Sequence, residues 1–299
     1  MSLPTKVTLH EVAPRDGLQN EPGVIPAAVK IELIERLAGC GLGIIEAAAF
    51  VSPRAVPQMG DAAEVMGGLS RKAGIIYSVL VPNMKGLEGA LAADVDWVAV
   101  FGAASESFSE RNINCSMAES LDRFRPVCEA AAQAKKMVRA YISCALGCPF
   151  EGAVAPSVVA EMAEELIGMG VGEVVLSDTI GVADPATTER LIEAVAARLP
   201  LNVLAGHYHD TYGQALANIL KSLEMGITVF DASVGGLGGC PFAPGASGNV
   251  ATEDVLYMLD GMGIETGVDL AALVDTAWFI SGALDREPGS SVARALRAS

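Results

Sequence analysis

The sequence has no long run of apolar residues and few positive charges. No apolar stretch reaches the roughly 18 residues that a membrane-spanning helix requires, although 51% of the residues are hydrophobic. Lys and Arg number 20 against 36 Asp and Glu, so the formal net charge is −16. An acidic surface repels phosphate backbones, and we therefore expect neither a membrane nor a nucleic acid as partner. An anionic small molecule remains compatible, because a few local Arg or Lys side chains can hold it.

Other signals are also missing. The cysteines form no C-x-x-C pair, and no basic and apolar leader precedes the first strand-like stretch, so we expect a cytoplasmic protein without disulfides. No G-x-G-x-x-G fingerprint follows that stretch, where the residues are "APRDGLQNEPG". This absence argues against the alternative fold, a doubly wound open sheet.

Eight short apolar stretches recur along the chain, and helical patterns such as "PAAVKIELIERLAGCG" separate them. The stretches begin at Lys6, Gly43, Ile75, Trp97, Met137, Glu173, Asn202 and Val229. Near-continuous apolar strands are typical of parallel sheets that are covered on both faces. The pattern predicts an α/β fold, a (β/α)₈ TIM barrel with extra C-terminal helices. We expect one domain over 1–299, with the barrel over about 5–262 and the helices over about 263–299.

Four side chains at predicted strand ends form a candidate metal site. His207 and His209, two of only three histidines, lie two residues apart in strand seven, so both face the same side. Asp16 follows strand one, and Asn249 follows strand eight. In a barrel the C-terminal strand ends meet at one mouth. Two nitrogen and two oxygen ligands suit Mg²⁺ or Mn²⁺ better than Zn²⁺.

Three further groups lie where an ordinary structural role competes with a functional one. Glu46 interrupts an apolar strand, and a buried carboxylate needs a partner, for which Arg15 is the obvious candidate. Asp178 ends strand six, where it could also be a helix N-cap. Cys240 lies in "GGLGGCPFAPGASGN", among glycines rather than core residues.

The chain resembles the 3-hydroxy-3-methylglutaryl-CoA lyases of the DRE-TIM metallolyase superfamily. The matching stretches include "EVAPRDGLQNE", "FVSPRAVPQMGD", "FGAASESFSERNIN", "LSDTIGVADP", "HYHDTYGQALAN" and "GGLGGCPFAPGASGNVATED". They span nearly the whole chain. The last is quite specific to the lyases, whereas "RDG" and "HxH" occur across the superfamily.

The resemblance implies a carbon–carbon lyase, of the oxo-acid-lyase type, that cleaves 3-hydroxy-3-methylglutaryl-CoA to acetyl-CoA and acetoacetate. It implies a catalytic Arg15, which would stabilise the thioester enolate, and a substrate-binding role for Arg15 and Gln19. Cys240 would transfer the proton to the acetyl carbon, on a glycine-rich lid that closes after substrate binds. Glu46 would orient Arg15 or relay protons.

The resemblance leaves the general base open among His207, Asp16 and Asp178. After Glu46 the chain has "AAAF", where the family usually has hydroxyl residues, and Ala49 removes a possible hydrogen bond to the substrate carboxylate. The expected partners are an acyl-CoA and a second copy of the chain, and the expected pathways are leucine breakdown and ketone-body formation. The residues that anchor the CoA phosphates are not identified, although Asn83, Lys85 and Arg111 lie in predicted loops after strands three and four.

Three other functions remain as alternatives: a lyase for another branched 3-hydroxyacyl-CoA, a Claisen-condensing synthase of the same superfamily, and an inactive metal- or acyl-CoA-binding barrel. The cysteine loop favours a lyase over a synthase. The intact set of candidate site residues favours an enzyme over an inactive barrel.

Overall fold

Eight parallel strands close into a barrel in the computed structural model, which describes residues 3–239 and 248–297. The strand order follows the chain, and the first strand pairs with the last. The strands are β1 Thr8–Glu11, β2 Ile44–Ala49, β3 Ile76–Leu80, β4 Trp97–Ala103, β5 Met137–Ser143, β6 Glu173–Asp178, β7 Leu204–Tyr208 and β8 Val229–Ala232. All eight predicted strands are confirmed.

Helices connect the strands and surround the barrel. They are α1 Ala27–Gly39, α2 Ala62–Gly68, α3 Met84–Ala92, α4 Glu106–Ile113, α5 Met117–Gln133, α6 Pro156–Gly168, α7 Pro185–Ala196, α8 Ala215–Met225, α9 Thr252–Gly261, α10 Leu270–Ala283 and α11 Ser291–Arg297. The (β/α)₈ prediction is confirmed, with two helices between β4 and β5. Within the described part of the chain, no helix has the length and apolarity that a membrane crossing requires.

Local sequence explains the helix ends. Helix α1 follows Pro26 and ends just before Gly41, whose φ of +94° favours glycine. Helix α5 begins with a capping box, in which the Ser116 side chain accepts from the backbone N–H of Glu119 and the Glu119 carboxylate accepts from the backbone N–H of Ser116.

The predicted extra helices are present as α10 and α11. Helix α10 packs on α1 and on residues 234–236 after β8, and the backbone N–H of Gly289 donates to Gly235 O at 2.8 Å. The C-terminal region therefore supports the segment that leads out of β8. The exact limits of the single domain stay a prediction.

The barrel interior contains both apolar and charged groups. Ala99, Tyr141, Val175 and Ala205 form a small apolar cluster inside it. A register shift in β2 between Glu46 and Ala48 marks a bulge, a feature that re-aims neighbouring side chains. Arg15, Asp16 and His207 lie at the C-terminal strand ends, where the sequence predicts the site, whereas Arg139 and Glu173 lie near the N-terminal ends of β5 and β6.

Candidate active site

A cavity of about 380 Å³ opens at the C-terminal ends of the strands. Five of the predicted site residues line it, namely Arg15, Asp16, Gln19, His207 and His209. Glu46 and Asp178 are not among its lining residues, and both are fully buried beside it. The structure therefore brings residues from β1, β2, β6 and β7 to one end of the barrel, as the sequence predicts.

The candidate metal ligands form a compact cluster. One ligand atom each from Asp16, His207 and His209 lie within 4.8 Å of one another. The Nδ1 atom of His207 is 3.0 Å from the Asp231 carboxylate, which leaves Nε2 for an ion. The Nδ1 atom of His209 is buried and has no hydrogen-bond partner among the described residues. Unpartnered buried nitrogen is costly, and a metal ion would satisfy it.

Asn249, the fourth predicted ligand, lies beside this cluster. Its Nδ2 donates to Asp16 Oδ2 at 2.8 Å and to Leu237 O at 3.1 Å. A backbone bridge also joins His209 to Asn249. The amide oxygen is the atom that remains for a cation.

The ionisation of the cluster suits a cation. Burial opposes the charge on Asp16, but Arg15, the two histidines and the Asn249 hydrogen bond together outweigh it and lower the pKa of Asp16 to about 2. Burial, with a contribution from His207, lowers the pKa of His209 to about 4. Near neutral pH, Asp16 is thus an anion and His209 a neutral imidazole, which are the protonation states that bind metals. The residues present therefore fit a divalent ion.

Arg15 is held by two carboxylates. Its Nε and Nη2 donate to the two Glu46 oxygens at 2.9 and 3.2 Å, and its Nη1 donates to Asp16 at 2.6 Å. Burial works against its charge, but Glu46 and then Asp16 raise the pKa of Arg15 above its ordinary value. Tyr141 O–H also donates to Glu46 at 2.5 Å. The expected Arg15–Glu46 ion pair is confirmed, and it fixes the guanidinium against the metal cluster.

Sequence reasoning missed a second buried arginine. Arg139 is fully buried, and it donates to Asp231 at 2.6 Å, to Glu173 at 2.5 Å and to the Tyr141 hydroxyl at 2.8 Å. Its partner Asp231 also contacts His207, because the two residues are register neighbours in β7 and β8. Arg139 thus links the metal cluster to the Arg15–Glu46 pair.

A signal for this network was present in the sequence. Arg139 and Asp231 are charged residues in strands that are otherwise apolar, as Glu46 is. The two-residue spacing of Arg139 and Tyr141 also places them on one face of β5. The same rule that singled out Glu46 would have found both charged groups. The third histidine, His10, is buried with its Nε2 3.0 Å from Ser78 Oγ.

Asp178 does not cap a helix. Its oxygens accept from the backbone N–H groups of Val182 and Ala183 at 3.1 and 2.9 Å, and Asp184 is the N-cap of α7. Of the two roles left open for Asp178, the N-cap is not the one observed, because the loop after β6 turns back onto the carboxylate before the helix begins. Burial, which these hydrogen bonds only partly offset, raises the pKa of Asp178 to about 6.

Two other buried carboxylates hold the segment after β8. Glu11 accepts from the backbone N–H of Val234 at 2.9 Å and from the Thr252 hydroxyl at 2.7 Å. Glu253 accepts from the backbone N–H of Gly235. Burial raises the pKa of Glu11 to about 7 and that of Glu253 to about 8.

Cys240 and its predicted lid lie outside the described residues. The residue before it, Gly239, lines the cavity and accepts a hydrogen bond from Asn20 Nδ2 at 2.9 Å. On the other side, the backbone N–H of Asp210 donates to Gly248 O at 2.8 Å. Both flanks of the unassigned segment are therefore attached to the barrel mouth.

The remaining sequence candidates lie apart from the reacting groups. Ala49 is fully buried and lines a second cavity of about 300 Å³, together with Lys85. Asn83 lines both cavities and is the N-cap of α3. Arg111 lines neither, and its guanidinium lies 4.2 Å from the Phe150 ring centroid. Lys85 and Arg111 are in helices α3 and α4 rather than in the predicted loops.

A family model described as HMGL-like matches residues 6–280. The chain belongs to the HMGL-like family. The 3-hydroxy-3-isohexenylglutaryl-CoA/hydroxy-methylglutaryl-CoA lyase of Pseudomonas aeruginosa is 58% identical over 298 residues, which cover 100% of this chain and 99% of that protein. The mitochondrial hydroxymethylglutaryl-CoA lyase of Gallus gallus is 54% identical over 294 residues, with 98% and 99% coverage. The recognised family is thereby confirmed.

Solved structures of HMGL-like proteins have the same fold. The crystal structure of hydroxymethylglutaryl-CoA lyase from Pseudomonas aeruginosa gives a TM-score of 0.98 at 58% identity, covering 100% of this chain and 99% of that one. An HMG-CoA lyase from Acinetobacter baumannii in complex with coenzyme A and 3-methylmalate gives 0.94 at 37% identity, with 99% and 96% coverage.

Proposed function

We propose that this protein is a divalent-metal-dependent lyase that cleaves 3-hydroxy-3-methylglutaryl-CoA to acetyl-CoA and acetoacetate. The observation that carries the proposal is the cluster of Asp16, His207 and His209 beside the Arg15–Glu46 ion pair, at the floor of one cavity. The similarity to lyases of this name over the whole chain supports it.

The cleavage requires three events at the substrate. The tertiary hydroxyl loses its proton, the bond between C2 and C3 breaks as the ketone of acetoacetate forms, and the electron pair moves into the thioester enolate. Protonation of that enolate carbon then gives acetyl-CoA. Asp16, His207, His209 and Asn249 would hold a divalent ion, which would supply Lewis-acid polarisation of the hydroxyl.

Arg15 faces the charge that develops on the thioester. Its three hydrogen bonds to Glu46 and Asp16 fix the guanidinium before substrate arrives. The remaining guanidinium edge is available to the enolate oxygen. A preorganised cation stabilises such charge without reorganisation during the reaction.

Asp178 is the group that takes the hydroxyl proton. His207 has no free nitrogen for this step, because Nδ1 faces Asp231 and Nε2 is required for the metal. The raised pKa of Asp178, about 6, suits a base that operates near neutral pH. Its carboxylate does not line the cavity, whereas its chain neighbours Ser177 and Thr179 do, so the transfer requires the loop after β6 to release the carboxylate. Cys240 remains the proposed proton donor to the acetyl carbon.

The apolar part of the cavity wall favours a second substrate, with a longer alkyl branch at C3. Phe101, Phe108, Ile113 and Phe124 form an apolar side of the cavity, which a 3-alkyl branch longer than methyl would contact. The Pseudomonas aeruginosa relative bears the name of a lyase for the isohexenyl as well as the methyl substrate. We therefore include 3-hydroxy-3-isohexenylglutaryl-CoA as a candidate.

Product analysis tests both substrates. Metal-supplemented protein is incubated with each thioester, and the products are identified by mass spectrometry. We expect acetyl-CoA from both, with acetoacetate from the methyl substrate. Intact methyl substrate after long incubation would reject the proposed activity. The ion identity, the homodimer, the cytoplasmic location and the role in leucine breakdown stay predictions.

A further inference from the structure

The side chains that line the substrate cavity include more guanidinium groups than carboxylates, although the chain as a whole is acidic. Among the described lining residues, Asp16 is the one carboxylate, whereas Arg15 and Arg123 contribute two guanidinium groups. Asp16 is already paired with Arg15 at 2.6 Å. The positive charge of Arg123 is therefore left without a balancing carboxylate in the cavity wall.

Arg123 makes little use of its hydrogen-bonding capacity. Its Nη1 donates to Ile113 O at 3.1 Å, and within the residues that the structure describes it forms no ion pair and no other hydrogen bond. Glu119, one turn earlier on α5, accepts from the backbone N–H of Ser116 and interacts with Arg123 through charge at a distance, without an ion pair. The single bond to Ile113 holds the guanidinium at the cavity wall while its other N–H groups stay available.

The position of Arg123 is remote from the reacting groups. Arg15 and Asp16 follow β1, and His207 and His209 belong to the end of β7, whereas Arg123 comes from the helices after β4. In the closed strand order, β4 is three strands from β1 in one direction and three from β7 in the other. Arg123 thus faces the metal cluster across the barrel mouth.

We propose that Arg123 binds an anionic group of the acyl-CoA substrate on the side of the cavity opposite Arg15. The planar guanidinium fork matches an oxyanion, which the substrate supplies either as its free carboxylate or as a phosphate of the CoA moiety. This assignment rests on the proposed function, since it takes the ligand to be an acyl-CoA. Arg123 acts here through binding and not through the bond-breaking step.

The test compares Arg123→Gln and Arg123→Lys with a matched control, Arg125→Gln. Arg125 lies on the same helix, is exposed and does not line the cavity. Binding of 3-hydroxy-3-methylglutaryl-CoA and of free CoA to chelated protein is measured by calorimetry. We expect Arg123→Gln to weaken substrate binding about ten-fold, as for one lost charge-assisted contact, with partial recovery in Arg123→Lys.

The kinetic version of the test distinguishes the two anion sources. KM and kcat are measured with the CoA thioester and with the pantetheine thioester, which lacks the nucleotide phosphates. Arg123→Gln should raise KM with little change in kcat, because a uniform binding contact is removed. A KM effect confined to the CoA thioester identifies a phosphate, and an effect on both thioesters identifies the carboxylate.

Equal affinities and KM values for Arg123→Gln and Arg125→Gln, with both thioesters, would overturn the proposal. So would a lower melting temperature and kcat in Arg123→Gln at unchanged KM, which would indicate a structural contact to Ile113. Wild-type protein that binds the substrate without cleaving it would reject the lyase function alone, because the calorimetric comparison needs no turnover.

Discussion

The barrel mouth has two kinds of buried carboxylate. Asp231 and Glu46 accept hydrogen bonds from arginine, and Asp231 has its pKa lowered because Arg139, His207 and His10 together outweigh the effect of burial. Among the described residues, Glu11, Glu253 and Asp178 accept only from neutral N–H and O–H groups, and burial raises the pKa of each, to about 7, 8 and 6.

The hydrogen-bond donor therefore distinguishes carboxylates that act as fixed charges from carboxylates that exchange protons. Asp231, whose pKa is lowered, stays ionised and holds His207 in place, and Glu46 holds Arg15 through two hydrogen bonds. Carboxylates with neutral donors take up protons near neutral pH. Glu11 and Glu253 hold the backbone after β8, whereas Asp178 lies between two residues that line the cavity. Asp178 is the member of the second group that lies next to the cavity, and its carboxylate exchanges a proton with substrate only when the loop after β6 releases it.

Replacing Arg15, the cation that Glu46 holds in place, should have the largest effect on activity. Arg15→Gln should lower kcat by about 10⁴-fold, because the preorganised charge opposite the enolate is lost. Mn²⁺ affinity, measured by electron paramagnetic resonance, should change little, since the ligands remain. Near-normal turnover in this variant would contradict the role of Arg15.

Replacing Asp178, the proposed base, should have the next largest effect on activity. Asp178→Asn should lower kcat by about 10³-fold, in the range of general-base catalysis. For the wild type, kcat/KM should rise as the pH increases through about 6, where Asp178 loses its proton. The variant should lack this limb of the profile. A variant profile that keeps the limb would assign the proton transfer to another group.

Changing the partner of His207 should act on the metal rather than on the chemical step. Asp231→Asn should weaken Mn²⁺ binding by about 10- to 100-fold, because the hydrogen bond that orients the imidazole is altered. Glu173→Gln is the matched control, since Glu173 also accepts from Arg139 but does not contact His207. Equal loss of metal affinity in both variants would indicate a general effect of disturbing Arg139.

Glu253→Gln should have the smallest effect on activity, within about two-fold at pH 7, because Glu253 with a pKa of about 8 is already mostly protonated.

The folded protein keeps the Glu253 proton at pH values where the unfolded chain has lost it. The unfolding free energy should therefore fall as pH rises from about 4.5 to about 8. The unfolding free energy, measured by denaturant titration at several pH values, should fall less steeply with pH in Glu253→Gln than in the exposed control Glu129→Gln.

The strand order and the metal cluster were predictable for a simple reason. Apolar strand periodicity and the two-residue spacing of His207 and His209 are local signals, and barrel closure brings the strand ends together. The Arg15–Glu46 pair followed from the cost of an unpaired buried charge.

The remaining features depend on contacts between distant parts of the chain. The loop after β6 folds back on Asp178, so no local pattern distinguishes that carboxylate from an N-cap. Arg123 becomes part of the cavity only because α4 and α5 both follow β4 and pack together. Arg139 and Asp231 were within reach of the same burial argument that found Glu46.

The most direct test of the account is an acetoacetate assay on chelated protein with 3-hydroxy-3-methylglutaryl-CoA, followed by stepwise addition of Mg²⁺ or Mn²⁺. We predict negligible product before metal is added, saturable recovery afterwards, and strongly reduced recovery in His209→Ala. Cleavage at full rate by the chelated protein, or unchanged metal dependence in His209→Ala, would contradict the assignment of the Asp16, His207 and His209 cluster as the reaction's metal site.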